Sequence, residues 1–175
     1  MRYSEAWLET KPYKEVYDRR AHPKMSPQLD HSLIQGRLLT LVGNWAVARG
    51  FSGPELRVYL AEGVSLVPDV SFMSFGRLNS MSSAERQKPR IAPEFVCEVR
   101  SPDDRGPNIR RKTELYLAHG AIAVLNADPA RRTVLVATQE GECLLRPGDR
   151  FEHPALPGLA LSVSEIFAPL DAARG

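Results

Sequence analysis

The chain has 175 residues, 43% of them apolar and 25% charged, with a net charge of +2. That suits one soluble globular domain with a sizeable core, and no apolar stretch approaches the length of a membrane span. The small net charge excludes nucleic-acid binding by bulk charge, so any such contact must use a local patch. Cys97 and Cys143 form no CxxC pair and no His/Cys cluster, which excludes a structural zinc site of the usual spacing. With no basic and apolar leader at the N-terminus, a reducing cytoplasm is the expected compartment.

The expected organisation is a single domain over residues 1–175, with residues 1–29 as an extension packed on it. In that extension Trp7, Leu8, Tyr13, Val16 and Tyr17 suit a short amphipathic element, and Met25-Ser26-Pro27 suits a turn. Ile34, Leu38, Leu41, Val42 and Trp45 recur at helical spacing and predict a helix over 30–49, started by Ser26 or Asp30 and stopped by Gly50. Leu56–Leu60 alternates as a half-buried strand does, and Val64–Met73 reads as a second strand. Residues 74–90 are polar and read as a long loop. Ile91–Val99 is a third strand, 101–107 a turn-rich connection, and 108–119 a helix closed by Gly120. A strand over 121–126 follows, then a hairpin of Thr133–Thr138 and Glu142–Leu145, an extended piece over 156–161 and a short terminal helix opening at Ser164. The order describes a mixed α/β sandwich.

Two acids stand out. Asp69 follows Pro68 inside Val64–Met73, and Glu98 lies in Phe95-Val96-Cys97-Glu98-Val99. A carboxylate within an apolar strand must be paired, neutralised or metal-bound, because burying it alone is very costly. Two such acids on neighbouring strands suit a hard divalent cation. Each also has a plainer reading, Asp69 as a strand-ending turn and Glu98 as a strand-edge acid facing solvent. The apolar residues beyond Asp69 and the apolar start of Glu98's strand face favour the ligand role.

The spacing of Pro68-Asp69 and Glu98 within an αβββαβ order resembles the PD-(D/E)XK nuclease fold. "PEFVCEVRSPDDR" followed by "KTELYLAHGA" looks like its Uma-two branch, which typically shows a PDV strand, an EV-x-SP strand and turn, and a helix with Lys, Tyr and a closing Gly. Here these are Pro68-Asp69-Val70, Glu98-Val99-Arg100-Ser101-Pro102, Lys112, Tyr116 and Gly120. "KEVYDRRAHPKMSPQLDH" and "RPGDRFEHPALPGLALSVSEIF" are similar to the end segments of that family, so the resemblance runs from about Tyr13 to Phe167. The chain departs from the pattern at Arg100, where an aliphatic residue is usual, at Asp18-Arg19 in place of Asp-Gly, and over 121–126, which lacks a Trp.

The resemblance implies a restriction-endonuclease-like sheet flanked by helices with an added C-terminal β-hairpin. It also implies Mg²⁺ or Mn²⁺ held by Asp69, Glu98 and the carbonyl of Val99, with DNA as substrate. By the resemblance Lys112 reaches the site from its helix to orient or deprotonate water, where the residues alone would read as a solvated basic helix face, and Arg100 clamps a phosphate or else pairs with Glu98 and quenches the site. Arginine cannot act as the base. Tyr116 is expected to pack at the site edge, His31 to cap a helix or lie on the surface, and Glu15 and Glu55 to be further acids without a defined place. Arg105, Arg110 and Arg111 form a basic run that either meets phosphates or is solvated. Nucleases of this fold often act as pairs, so a homodimer is one expected arrangement. Arg100 motivates an alternative, a nuclease-fold module with an impaired site that binds nucleic acid or regulates. A cupin-like barrel, suggested by residues 146–153, lacks a His-x-His pair and conflicts with the two helices.

Overall fold

The computed structural model describes residues 13–24, 28–102 and 104–172. Its centre is a six-stranded sheet in the order β10-β9-β8-β7-β6-β3. These strands are β3 (Gly50–Gly53), β6 (Val70–Ser74), β7 (Phe95–Val99), β8 (Ala123–Asp128), β9 (Thr133–Thr138) and β10 (Gly141–Leu145). All neighbours are antiparallel except β7 and β8, which run parallel and are joined by helix α4 (Gly106–Ala118). A parallel pair needs such a crossover, and its strands are covered on both faces.

Alternation along β7 divides its side chains. Phe95, Cys97 and Val99 join a core under α1 (Leu29–Ala46) and α5 (Val163–Ala172). Val96 faces a second core with Tyr116 and Leu115 of α4. α1 lays Ile34, Leu38, Val42 and Ala46 on the sheet at four-residue spacing, all buried. Cys97 is buried and free, the small hydrophobe its strand predicts, and burial pushes its thiol pKa up.

The second core is roofed by a smaller sheet ordered β2-β1-β5-β4, made of β1 (Lys14–Tyr17), β2 (Arg20–Pro23), β5 (Val64–Leu66) and β4 (Val58–Ala61). The amphipathic element expected near the N-terminus is therefore, over its described part, a β-hairpin. Its turn is Asp18-Arg19 with φ of 49° and 60°, the left-handed pair a two-residue hairpin turn needs. Trp7, Leu8, Met25, Ser26 and Pro27 lie outside the described residues.

Several expected boundaries shift for physical reasons. Val64–Met73 is two strands in two sheets, because Pro68 has no N–H to donate and the chain changes sheet at Val67-Pro68-Asp69. Residues 74–90 carry two short helices, α2 (Phe75–Ser80) and α3 (Ser83–Gln87). Ser74 caps the first, and a reciprocal Ser82/Glu85 capping box starts the second. The third strand starts at Phe95 rather than Ile91. The extended piece at 156–161 reduces to β12 (Leu161–Ser162), paired with β11 (Arg150–Phe151), while Leu156 and Leu159 fill the core without strand pairing. The hairpin of β9 and β10 follows the expected residues and extends the central sheet. The chain leaves α1 through Ala48, at φ 64°, and Gly50 opens β3 instead of stopping the helix.

Gly50 is required there by close approach. A Cβ on it would run into the backbone carbonyl of Met73, next to its partner Ser74 across the β3–β6 pair. Gly50→Ala is expected to cost about 1–3 kcal/mol of stability, as overpacking typically does. The urea unfolding midpoint checks it, and an unchanged midpoint contradicts the argument.

Candidate active site

Val70 pairs with Cys97 across β6 and β7, so Asp69 and Glu98 stand one step beyond that register, at the same end of the two strands. Opposite residues of an antiparallel pair share a face. The two acids, Val99 and Lys112 all line one cavity of about 240 Å³, which β1, β2 and the first turn of α1 close from the other side.

Asp69 is buried and held from three directions. Its Oδ2 accepts the backbone N–H of Val99 at 2.8 Å and lies 3.2 Å from Nε2 of His31. Its Oδ1 faces Lys24 Nζ at 2.7 Å and makes no hydrogen bond beyond this ion pair. Burial alone would raise the Asp69 pKa. The Lys24 ammonium and His31 outweigh it and hold the carboxyl well below the usual range. Lys24 also donates to the carbonyl of Val67, and Gln35 from α1 donates to the Asp69 carbonyl at 2.9 Å. Asp69 does stand at the bend between β5 and β6, as the plainer reading has it, but it is buried and paired rather than solvated.

Glu98 Oε1 accepts the Tyr116 hydroxyl at 2.9 Å and sits 2.8 Å from Lys112 Nζ. The same ammonium lies 3.0 Å from Glu15 Oε2, while Glu15 Oε1 accepts the N–H of Val67 at 2.8 Å. Lys112 and Tyr116 are one helical turn apart on α4, which is why both reach one carboxylate. Burial pushes the Glu98 pKa up to about 7 even though the Lys112 and Lys24 ammoniums pull the other way. Burial would lower Lys112, but the Glu15 and Glu98 carboxylates facing it keep its pKa above the ordinary lysine value. A lysine so held stays charged, so Lys112 can donate and orient but cannot take a proton from water. Of the two roles expected for it, orienting and deprotonating water, this charged state suits the first.

Arg100 turns away from Glu98. Its Nη1 meets Asp128 Oδ2 at 2.8 Å, and Arg131 shares that oxygen at 3.0 Å. Of the two alternatives for Arg100, the ion pair with Glu98 is not the one formed here, and Lys112 is on Glu98 instead. Arg100 still lines the cavity, together with Ser101. Glu55 lies away from it, exposed at φ 51°. Arg111 braces the hairpin turn through Asp18 at 2.9 Å, while Arg105 and Arg110 are exposed. His31, expected as a capping or surface residue, is buried in the site, and Glu15 finds its place on β1. Lys24 is not singled out by the sequence, although it lies within the entry segment similar to the family's. It follows a strand of mixed burial and belongs to no periodic pattern.

These groups suit a hard cation. The acids offer oxygen donors, and the Lys24 ammonium, seated between a carboxylate and a backbone carbonyl, already occupies a cation's place. Among the described residues no three His, Cys, Asp or Glu side chains converge closely enough to hold a metal ion. A Mg²⁺-like site with one or two carboxylates completed by water and substrate oxygens needs no third.

A mixed sheet with a βαβ crossover, two acids at the same end of neighbouring strands and a helix lysine between acids defines a restriction-endonuclease-like fold. The structure is similar to the crystal structure of a putative nuclease belonging to DUF820 from Anabaena variabilis ATCC 29413, at a TM-score of 0.81 and 26% identity over 93% of each chain. The chain belongs to the Uma2 family, described as "Putative restriction endonuclease", whose model matches residues 3–164. No curated protein matches it.

Proposed function

We propose that the chain, acting as one domain over residues 1–175, is a divalent-cation-dependent endonuclease that hydrolyses DNA phosphodiester bonds. The carrying observation is the meeting of Asp69 and Glu98 at one cavity, with Lys112 on Glu98. Asp69, Glu98 and the Val99 carbonyl would hold Mg²⁺ or Mn²⁺. Such an ion supplies charge neutralisation at the phosphate and an activated water. Lys112 keeps its proton and orients the water and a phosphate oxygen. Tyr116 fixes the Glu98 carboxylate by its hydroxyl, and His31 with the Val99 N–H fixes Asp69. Arg100, held by Asp128 at the cavity wall, offers a guanidinium to the DNA backbone. Among the described residues no helix is long and apolar enough to cross a membrane. A cytoplasmic protein acting on both DNA strands as a homodimer completes this reading.

The test is cleavage of supercoiled plasmid in Mg²⁺ or Mn²⁺ against EDTA. Cleavage dependent on the cation supports the proposal, and no cleavage under either cation sinks it. The lysines seated on both acids favour one alternative, a nuclease-fold module that binds nucleic acid without cutting it. Duplex binding with a silent Mn²⁺ titration would identify that module.

The two acids also predict how stability follows pH without a divalent cation. Glu98 has a raised pKa, so its contribution is complete below the ordinary 4.5 and is lost as pH rises through about 7. Asp69 has a lowered pKa, so its contribution is present above the ordinary 3.8 and is lost as pH falls below it. In EDTA the urea midpoint is therefore expected to be higher at about pH 5 than at about pH 8. Glu98→Gln should flatten that difference, and an equal slope in the variant would contradict the assignment.

A further inference from the structure

We propose that Lys24 is a tethered counter-cation. It must leave Asp69 before a divalent cation can bind there, and the loaded site takes one such ion per chain. The inference rests on the metal-dependent reading above. Asp69 Oδ2 is committed to the Val99 N–H and lies beside His31, so Oδ1 is the oxygen left for an ion, and the Lys24 ammonium is on it at 2.7 Å. Its second contact is the Val67 carbonyl, so its surroundings are those of an oxygen-liganded cation.

Lys24 is built to move where Lys112 is not. Its backbone N–H is tied to the Tyr13 carbonyl at 2.7 Å, just past the end of β2, so the side chain can swing while the chain stays anchored. Lys112 sits on a helix and bridges two carboxylates, so its departure would strip both. Charge balance agrees. At its centre three carboxylates, Glu15, Asp69 and Glu98, stand against the ammoniums of Lys24 and Lys112, while the other charges lining the cavity are Asp104, which is exposed, and Arg100, which is paired with Asp128. A divalent ion added beside both ammoniums leaves excess positive charge among side chains that are mostly buried. The same ion with Lys24 expelled leaves carboxylates and cations balanced, and buried charge is tolerated only when balanced.

The experiment is calorimetric titration of Mn²⁺ into the full chain at neutral pH, with thermal melts in EDTA and in Mn²⁺, for wild type, Lys24→Met and Lys24→Gln. The amide variant keeps hydrogen-bonding capacity toward Asp69 and serves if the methionine variant fails to fold. The expected result is binding about tenfold tighter in the variants, at one ion per chain, since couplings of this kind commonly run from 5- to 150-fold. The variants should also melt lower than wild type in EDTA and gain more from Mn²⁺. Equal or weaker binding in the variants, or two ions per chain in wild type, overturns the proposal and leaves the metal-dependent reading intact. Silence in all three proteins overturns both. Binding in the variants alone supports both.

Discussion

Glu98→Gln should abolish cation-dependent DNA cleavage while leaving a folded protein. The amide keeps an oxygen able to accept the Tyr116 hydroxyl, so the hydrogen bond now made at 2.9 Å can persist. The charge is what disappears. Lys112 retains Glu15 at 3.0 Å as a counter-ion, so no buried ammonium is orphaned. Removing groups that merely orient a metal ligand costs about 10–100-fold in affinity or activity, and a ligand itself should cost at least about 100-fold. Plasmid cleavage in Mn²⁺ by wild type and variant, with matched thermal melts, measures this. Equal rates would remove Glu98 from the chemistry and with it the proposed activity.

Lys112→Met should have the largest effect on stability. The substitution fills similar space but leaves Glu98 and Glu15 facing each other in the interior with one cation fewer. Breaking a buried ion pair on one side costs about 3–5 kcal/mol, mostly as the penalty on the charge left behind. Here the protein has a partial escape. Glu98 already titrates up to about 7, so at acid pH it takes a proton and the deficit shrinks. Urea unfolding of wild type and variant at about pH 5.5 and about pH 8 should show the larger loss at the higher value. A deficit independent of pH would mean that Lys112 contributes through packing alone.

How much of this could be read from the residues differs by element. The strand of Glu98 was legible because Phe95, Cys97 and Val99 alternate with it, and α1 because its apolar residues repeat every turn. The N-terminal hairpin was not, since Arg19 takes the left-handed position where glycine would have announced a turn. β3 was hidden for the opposite reason. Its two glycines look like breakers, yet Gly50 is there because the backbone of β6 passes too close for a side chain. The Ser82/Glu85 box was written in the sequence as S-x-x-E and marks a helix inside what reads as a loop. In the site, Asp69, Glu98 and Lys112 could be matched to a motif, and the structure brings them to one cavity. Lys24, His31 and Glu15 could not be placed, because what brings them in is the pairing of β1 with β5 and the docking of α1, both long-range events.

That dependence on distant partners has a bearing on how the protein comes into being. Lys24 and His31 precede Asp69 by dozens of positions, and Lys112 lies nearly a hundred beyond its partner Glu15. No contiguous fragment lacking the first hairpin or the crossover helix contains the whole constellation. Because closing such long loops is entropically costly, the cavity is expected to form late in folding. A chain truncated before the crossover helix therefore lacks Lys112, which suits a protein whose finished form is proposed to cut DNA.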